Sequence, residues 1–189
     1  FPDHGQIDLN GNFYPPTQDY SVKFTGKKLS AEDWLPEYVQ GPLDVEGNME
    51  QRKHGSLRGL SGKVQIKLAD GSLRQLGVIT ALLSLLNPQS LLKEGLPYTY
   101  LGGNFKINNG VVTTADLELS GPQLQLLAAG KADLHSGNLK GELKAMPLQL
   151  VDAVVKLIPL LGKILAGKKG GVVETYFDVS GTFSNPKFS

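Results

Sequence analysis

Cysteine is absent from the chain, which excludes disulfides and thiol catalysis. It says little about compartment, because exported proteins also lack cysteine. Histidine is scarce: His4, His54 and His135 each lie beside Gly or Ser in a predicted turn, and none has ligand spacing to another. They read as plain turn residues. Neither sign of charge dominates, with 19 basic and 18 acidic residues and a formal net charge of +1. No general nucleic-acid footprint follows. Long apolar runs are missing too. The best candidate, residues 148–165, carries Asp152, Lys156, Pro159 and Lys163, whereas a spanning helix needs about 20 mostly apolar residues. The chain begins at Phe1 rather than Met, as a fragment or processed form does, and no signal peptide is read in it.

Reactive motifs are missing as well. Residues 55–63 (GSLRGLSGK) look faintly like a phosphate loop. Leu57 stands where the first Gly belongs, and Val64 where Ser or Thr is needed. There is no Gly-x-Ser-x-Gly elbow and no metal cluster. Asp8, Asp44 and Asp178 recur in one motif, but they fall on the polar side of strands and read as solvated. No catalysis, metal or cofactor is expected.

Glycine, in contrast, is abundant, with 23 among 189 residues. The length suits one domain. Three segments read almost alike: residues 5–13 (GQIDLNGNF), 41–49 (GPLDVEGNM) and 177–183 (FDVSGTF). Each is a strand with one apolar and one polar face. Gly11, Gly47 and Gly181 fall on the apolar face, which suggests a sheet that bends or keeps room there.

Alternation continues along the chain. Tyr20/Val22/Phe24 and Leu60/Val64/Ile66/Leu68 read as strands, and Ala69-Asp70-Gly71 as a turn. The phase slips at residues 101–103, which predicts a β-bulge there. Phe105/Ile107 follows, then a hairpin turn at Asn108-Asn109-Gly110. The return strand reads Val111/Thr113/Ala115/Leu117/Leu119. Leu124/Leu126/Ala128/Gly130 and Leu139/Gly141/Leu143 come next. A last strand through Phe177/Val179/Gly181 closes at Asn185-Pro186. Residues 75–86 and 148–165 break the alternation and read as apolar helical segments, the second split by Pro159. The reading gives about nine strands and two helical segments in a single unit, with antiparallel pairing.

The apolar strand faces are therefore either a core covered by the two helical segments or a ligand surface. Lys163, Lys168 and Lys169 either complement a helix C-terminus or meet anionic headgroups.

Residues 101–122 (LGGNFKINNGVVTTADLELSGP) carry a further signal. So do residues 128–134 (AAGKADL), 158–162 (IPLLG), 177–181 (FDVSG) and the Asn185-Pro186 pair. In order and spacing these resemble the C-terminal region of AsmA-like proteins, the group that includes TamB and YhdP. The resemblance covers roughly residues 57–186. Residues 1–48 depart from it most, as the end of a preceding β-groove repeat would. It implies a bridge-like lipid transfer protein anchored in the bacterial inner membrane and extending through the periplasm. Phospholipid acyl chains would run in a β-groove toward the outer membrane.

The expected architecture is mainly β (α+β). It is a curved antiparallel sheet forming a groove or half-barrel, with two amphipathic helical segments against its apolar face. The expected groove lining is Leu60, Val64, Ile66 and Leu68, then Phe105 and Ile107, then Val111, Leu117 and Leu119, then Leu124 and Leu126, and finally Phe177 and Val179. The alternative is an assembly module that docks an outer-membrane or other envelope protein partner. Nucleic acid is not an expected partner.

Overall fold

The computed structural model describes residues 5–52, 56–74, 95–122, 124–148 and 174–189. Among the described residues it holds a single open antiparallel sheet of eleven strands. The strands are β1 (Gln6–Tyr14), β2 (Asp19–Ser30), β3 (Val39–Gln40), β4 (Pro42–Gln51), β5 (Leu60–Leu73) and β6 (Leu96–Asn108). They continue with β7 (Val111–Ser120), β8 (Leu124–Asp133), β9 (Asn138–Pro147), β10 (Thr175–Thr182) and β11 (Asn185–Phe188). The spatial order is β1-β2-β4-β5-β6-β7-β8-β9-β10-β11, with β3 paired to β5 off this path. Each main strand thus lies beside its predecessor in a long meander whose edges are β1 and β11.

Two strands exceed the expected nine. The chain does not stop at Asn185-Pro186 but adds β11, with Gly181 opposite Pro186. Proline is tolerated there because β11 is an edge. The other addition is β3, where Val39 pairs with Leu73 beyond the end of the β4–β5 ladder. Among the described residues there is no α-helix, only single 3₁₀ turns at Ala31–Asp33 and Leu57–Gly59. The helical segments expected at 75–86 and 148–165 lie outside the described residues, apart from Leu148. So do Lys163, Lys168 and Lys169, and His4 and His54.

The phase slip at 101–103 is real but has a different cause. Ala69-Asp70-Gly71 is not a turn: β5 runs through it, with Asp70 at φ 46°. Leu68 faces Leu101 and Gly71 faces Tyr98, so the β5–β6 register is unbroken. Both strands change phase together, which keeps Leu68, Leu73, Leu96 and Tyr98 in one buried cluster. The extra residue of the bulge sits instead on β7. Its register slips between Thr114 and Leu117 against β8, and between Thr113 and Glu118 against β6. Asp116 holds this bulge, its carboxylate accepting from the Asn104 backbone N–H at 2.9 Å and the Asn104 amide at 2.6 Å. Those bonds, the side-chain one first, hold the Asp116 carboxyl below its ordinary range. The turn after β6 is as expected: Asn109 and Gly110 both take positive φ, 50° and 78°, the requirement of a tight hairpin.

The core lies on the apolar face around β5–β9. Ala31 and Val39, from the link between β2 and β4, pack into it beside Leu73, Leu96 and Tyr98. Burial of each such leucine contributes about 1.5–3 kcal/mol. Tyr98 is 2% exposed, and its hydroxyl donates to the Gln40 carbonyl at 2.6 Å. Burial, with a smaller contribution from the Glu32 carboxylate, pushes its phenol up to about 12.

Two predictions follow from this packing. Tyr98 deprotonates near 10 in the unfolded chain but near 12 in the folded one. Its contribution is therefore complete below pH 10 and falls as pH rises toward 12. Urea unfolding from pH 9 to 12 should show that decline, and Tyr98→Phe should flatten it while costing about 1–2 kcal/mol at pH 8. An unchanged slope in the variant would refute the assignment. The second concerns Gly47, opposite Phe24 on the apolar face. A Cβ at 47 would press against the Lys63 carbonyl oxygen and lie 3.0 Å from the Phe24 ring. Gly47→Ala should destabilise by about 1–3 kcal/mol through overpacking. A neutral effect would mean that β4 has slack.

Candidate functional site

One face of the sheet carries a cavity of about 700 Å³, a size within the range of small-ligand sites. Its construction starts with small residues. Gly130 on β8 lies directly opposite Gly141 on β9, and Ala128 and Ala132 flank it on the same face. These short side chains form a low floor. Taller walls rise around it from Leu101 and Phe105 on β6, Leu117 and Leu119 on β7, Leu143 on β9 and Val179 on β10. Leu35, Tyr38 and Val39, from the link between β2 and β4, overhang one end. Leu35 is 51% and Tyr38 40% exposed, so that end is open to solvent.

The lining is almost wholly apolar. Lys131, Lys140 and Glu142 border the cavity, but strand alternation sends their side chains to the opposite face. Thr114 brings a hydroxyl. Nothing in the lining supplies a paired acid and base. The perturbed exposed carboxylates have local causes elsewhere. Asp133 is lowered by the N–H groups of Ser136 and His135 in the turn after β8. Glu174 is lowered mainly by Lys144 at 2.8 Å. Among the described residues no group of three or more His, Cys, Asp or Glu is placed to hold a metal.

The residues expected to line a groove divide by position. Phe105, Leu117, Leu119, Leu126 and Val179 border this cavity. Leu68 and Leu124 are buried in the core beside it, and Ile66 and Phe177 pack against that core. Leu60 and Ile107 are buried but are not part of its lining. Val64 lies in the same cross-strand row as Phe24, Gly47 and Phe105. Val111 is on the other face: it pairs with Asn108 and Asp133, while Val112 pairs with Ile107. The β7 bulge explains this, since it reverses the phase between Thr114 and Leu117. Val112 and Thr114, not Val111 and Thr113, therefore border the cavity. The overhang of Leu35, Tyr38 and Val39 has no periodic signature in the sequence. Spare room is also less general than the glycines suggested. At Gly47 the Phe24 ring occupies it, whereas Gly130 and Gly141 line the cavity, each too close to the facing strand's backbone to admit a Cβ without a shift.

No helix among the described residues is long and apolar enough to cross a membrane. Comparison with known proteins adds the remaining piece. No curated protein and no solved structure matches the chain. A family model described as "YhdP protein" matches residues 49–188, from near the end of β4 to the end of β11. The whole cavity floor and its strand-borne walls fall inside that match. An open sheet with one apolar face, in a chain so matched, belongs to the YhdP family of the AsmA and TamB type, bridge-like lipid transfer proteins of the bacterial envelope.

Proposed function

We propose that this chain is a non-catalytic module that binds and conducts phospholipid acyl chains along the apolar face of its sheet. The observation that supports it best is the apolar cavity with a Gly130/Gly141 floor, inside the family match. An acyl chain needs a continuous apolar track without specific hydrogen bonds, and each buried methylene contributes about 0.8 kcal/mol. The apolar face extends beyond the cavity. Val64, Phe24 and Leu9 follow one another across β5, β2 and β1 by register. Leu9 is 70% exposed at the β1 edge, so the track runs toward an edge strand. Because β2 pairs with β4 and β1 with β2, residues 1–48 belong to the same module. The family is one of bacterial envelope proteins, and the module's working compartment is the periplasm, between the inner and outer membranes.

A second reading rests on that same edge. Ile7, Leu9 and Phe13 are exposed beside the free β1 backbone, the arrangement that a partner strand pairs with. Here the module would dock an envelope protein and carry no lipid.

Native mass spectrometry after gentle purification separates the two. Co-purified phospholipid is expected. Ala128→Trp, which fills the floor, and Leu117→Arg, which charges the wall, should each reduce bound lipid about tenfold or more with the strand circular-dichroism signal retained. A lipid-free protein, or lipid retained in both folded variants, would overturn the groove reading. Lipid lost on truncating β1 alone would move the site to the edge.

A further inference from the structure

The polar face carries a charge pattern that the apolar groove does not use. Following the cross-strand register from β2 to β11 gives one continuous row. Lys23 faces Asn48, which faces Lys63, which faces Lys106. Lys106 faces Thr113, which faces Lys131, which faces Lys140. Lys140 faces Ser180, which faces Lys187. The row holds six lysines and no acid, and all six are exposed. None of the six has an ion pair within 4.0 Å among the described residues.

Two pairs in this row are directly opposed like charges: Lys63 with Lys106 and Lys131 with Lys140. Such a pair brings Cβ atoms to about 4.5–5.5 Å and is destabilising unless something neutralises it. Its repetition in one row gives the face a requirement for anions. The two pairs are three strand steps apart, about 14 Å. Part of the row also borders a hollow. A trench of about 800 Å³ runs beside Lys23, Lys63 and Lys106. Its lining also includes Thr25, Gln65 and Asn104, with Glu46 and Asp116. Asp116 is already engaged by Asn104.

The chemistry of the row restricts its ligand. Lysine without arginine favours phosphate held as a point charge over bidentate carboxylate recognition. Each inner unit of a linked phosphate chain carries one negative charge, so two adjacent units match a lysine pair, where one isolated carboxylate neutralises only half of it. The neighbouring row, about 6.7 Å away along the strands, contains Asp8, Glu46, Glu142 and Asp178. At distances beyond a Debye length the two rows largely cancel, so a broad anionic surface gains little. Strand twist of about 20–25° per step also turns the row through nearly half a revolution, which a flat bilayer cannot follow. The row carries no aromatic side chain on which nucleobases would stack.

We propose that this lysine row binds a flexible chain of phosphate groups, with Lys63/Lys106 and Lys131/Lys140 each seating two adjacent phosphoryl groups. The test is calorimetric titration with medium-chain inorganic polyphosphate, with orthophosphate as comparison. Polyphosphate should bind at least about tenfold more tightly, with affinity falling steeply as salt rises. Lys63→Gln/Lys106→Gln and Lys131→Gln/Lys140→Gln should each weaken it about tenfold. Lys27→Gln/Lys67→Gln, which lies off the row, should change it less than about twofold. The two on-row variants should unfold at equal or higher urea concentration, so a loss of binding is not a loss of fold. Absence of polyphosphate binding, or equal weakening by the off-row variant, overturns the proposal. So does row-dependent binding to phosphatidylglycerol vesicles without binding to polyphosphate, which would reassign the row to a lipid surface.

Discussion

Every strand of this sheet has to keep its apolar side chains on one face, and a shift of one residue turns all of them over. The rest of the structure depends on how that constraint is met. Most of the meander meets it by plain alternation under an unbroken ladder. Where alternation fails, a compensating slip appears. β5 and β6 change phase together near Asp70 and between Tyr98 and Leu101, and keep their register. β7 changes phase alone, and the Asp116 carboxylate holds the displaced backbone through Asn104. Without that bulge Leu117 and Leu119 would not share a face with Val112 and Thr114, and the cavity would lose a wall.

Much of this was legible in the sequence. Alternation located nearly every long strand, and the asparagine–glycine turn located the β6–β7 hairpin. The resemblance to the AsmA-like group agrees with the match to the YhdP family. The bulge was harder to place. Residues 111–114 read Val-Val-Thr-Thr, with apolar or β-branched side chains in both phases, so alternation there is silent. The deciding pair, Asn104 and Asp116, meets only once the hairpin has closed. A slip shared by two paired strands looks, in either sequence alone, like a bulge. Edge strands as short as β3 and β11 carry too few residues for a periodic signal. The overhang through Leu35 and Val39 owes its position to the Val39–Leu73 pairing, a contact that local pattern does not foresee.

The two faces of the sheet answer different physical demands. On the apolar face, glycines opposite one another make volume, as at Gly130 and Gly141, or admit a ring, as Gly47 admits Phe24. On the polar face the same ladder aligns charges, so residues far apart in sequence become neighbours at regular spacing. A single register therefore sets both the hydrophobic relief and the electrostatic striping, and the β7 bulge lies on the boundary of both hollows.

An open meander has one more consequence. Apart from the short β3, each strand bonds only to those before and after it, and β1 and β11 have one neighbour each. Such a sheet behaves as a one-dimensional array, in which stability is a sum of intrinsic and nearest-neighbour contributions. Disturbance at one end decays strand by strand rather than spreading through a common centre. β1, exposed along all nine residues, can open and re-form while the buried middle from β5 to β9 stays shut. The fold thus confines its compliance to its rims.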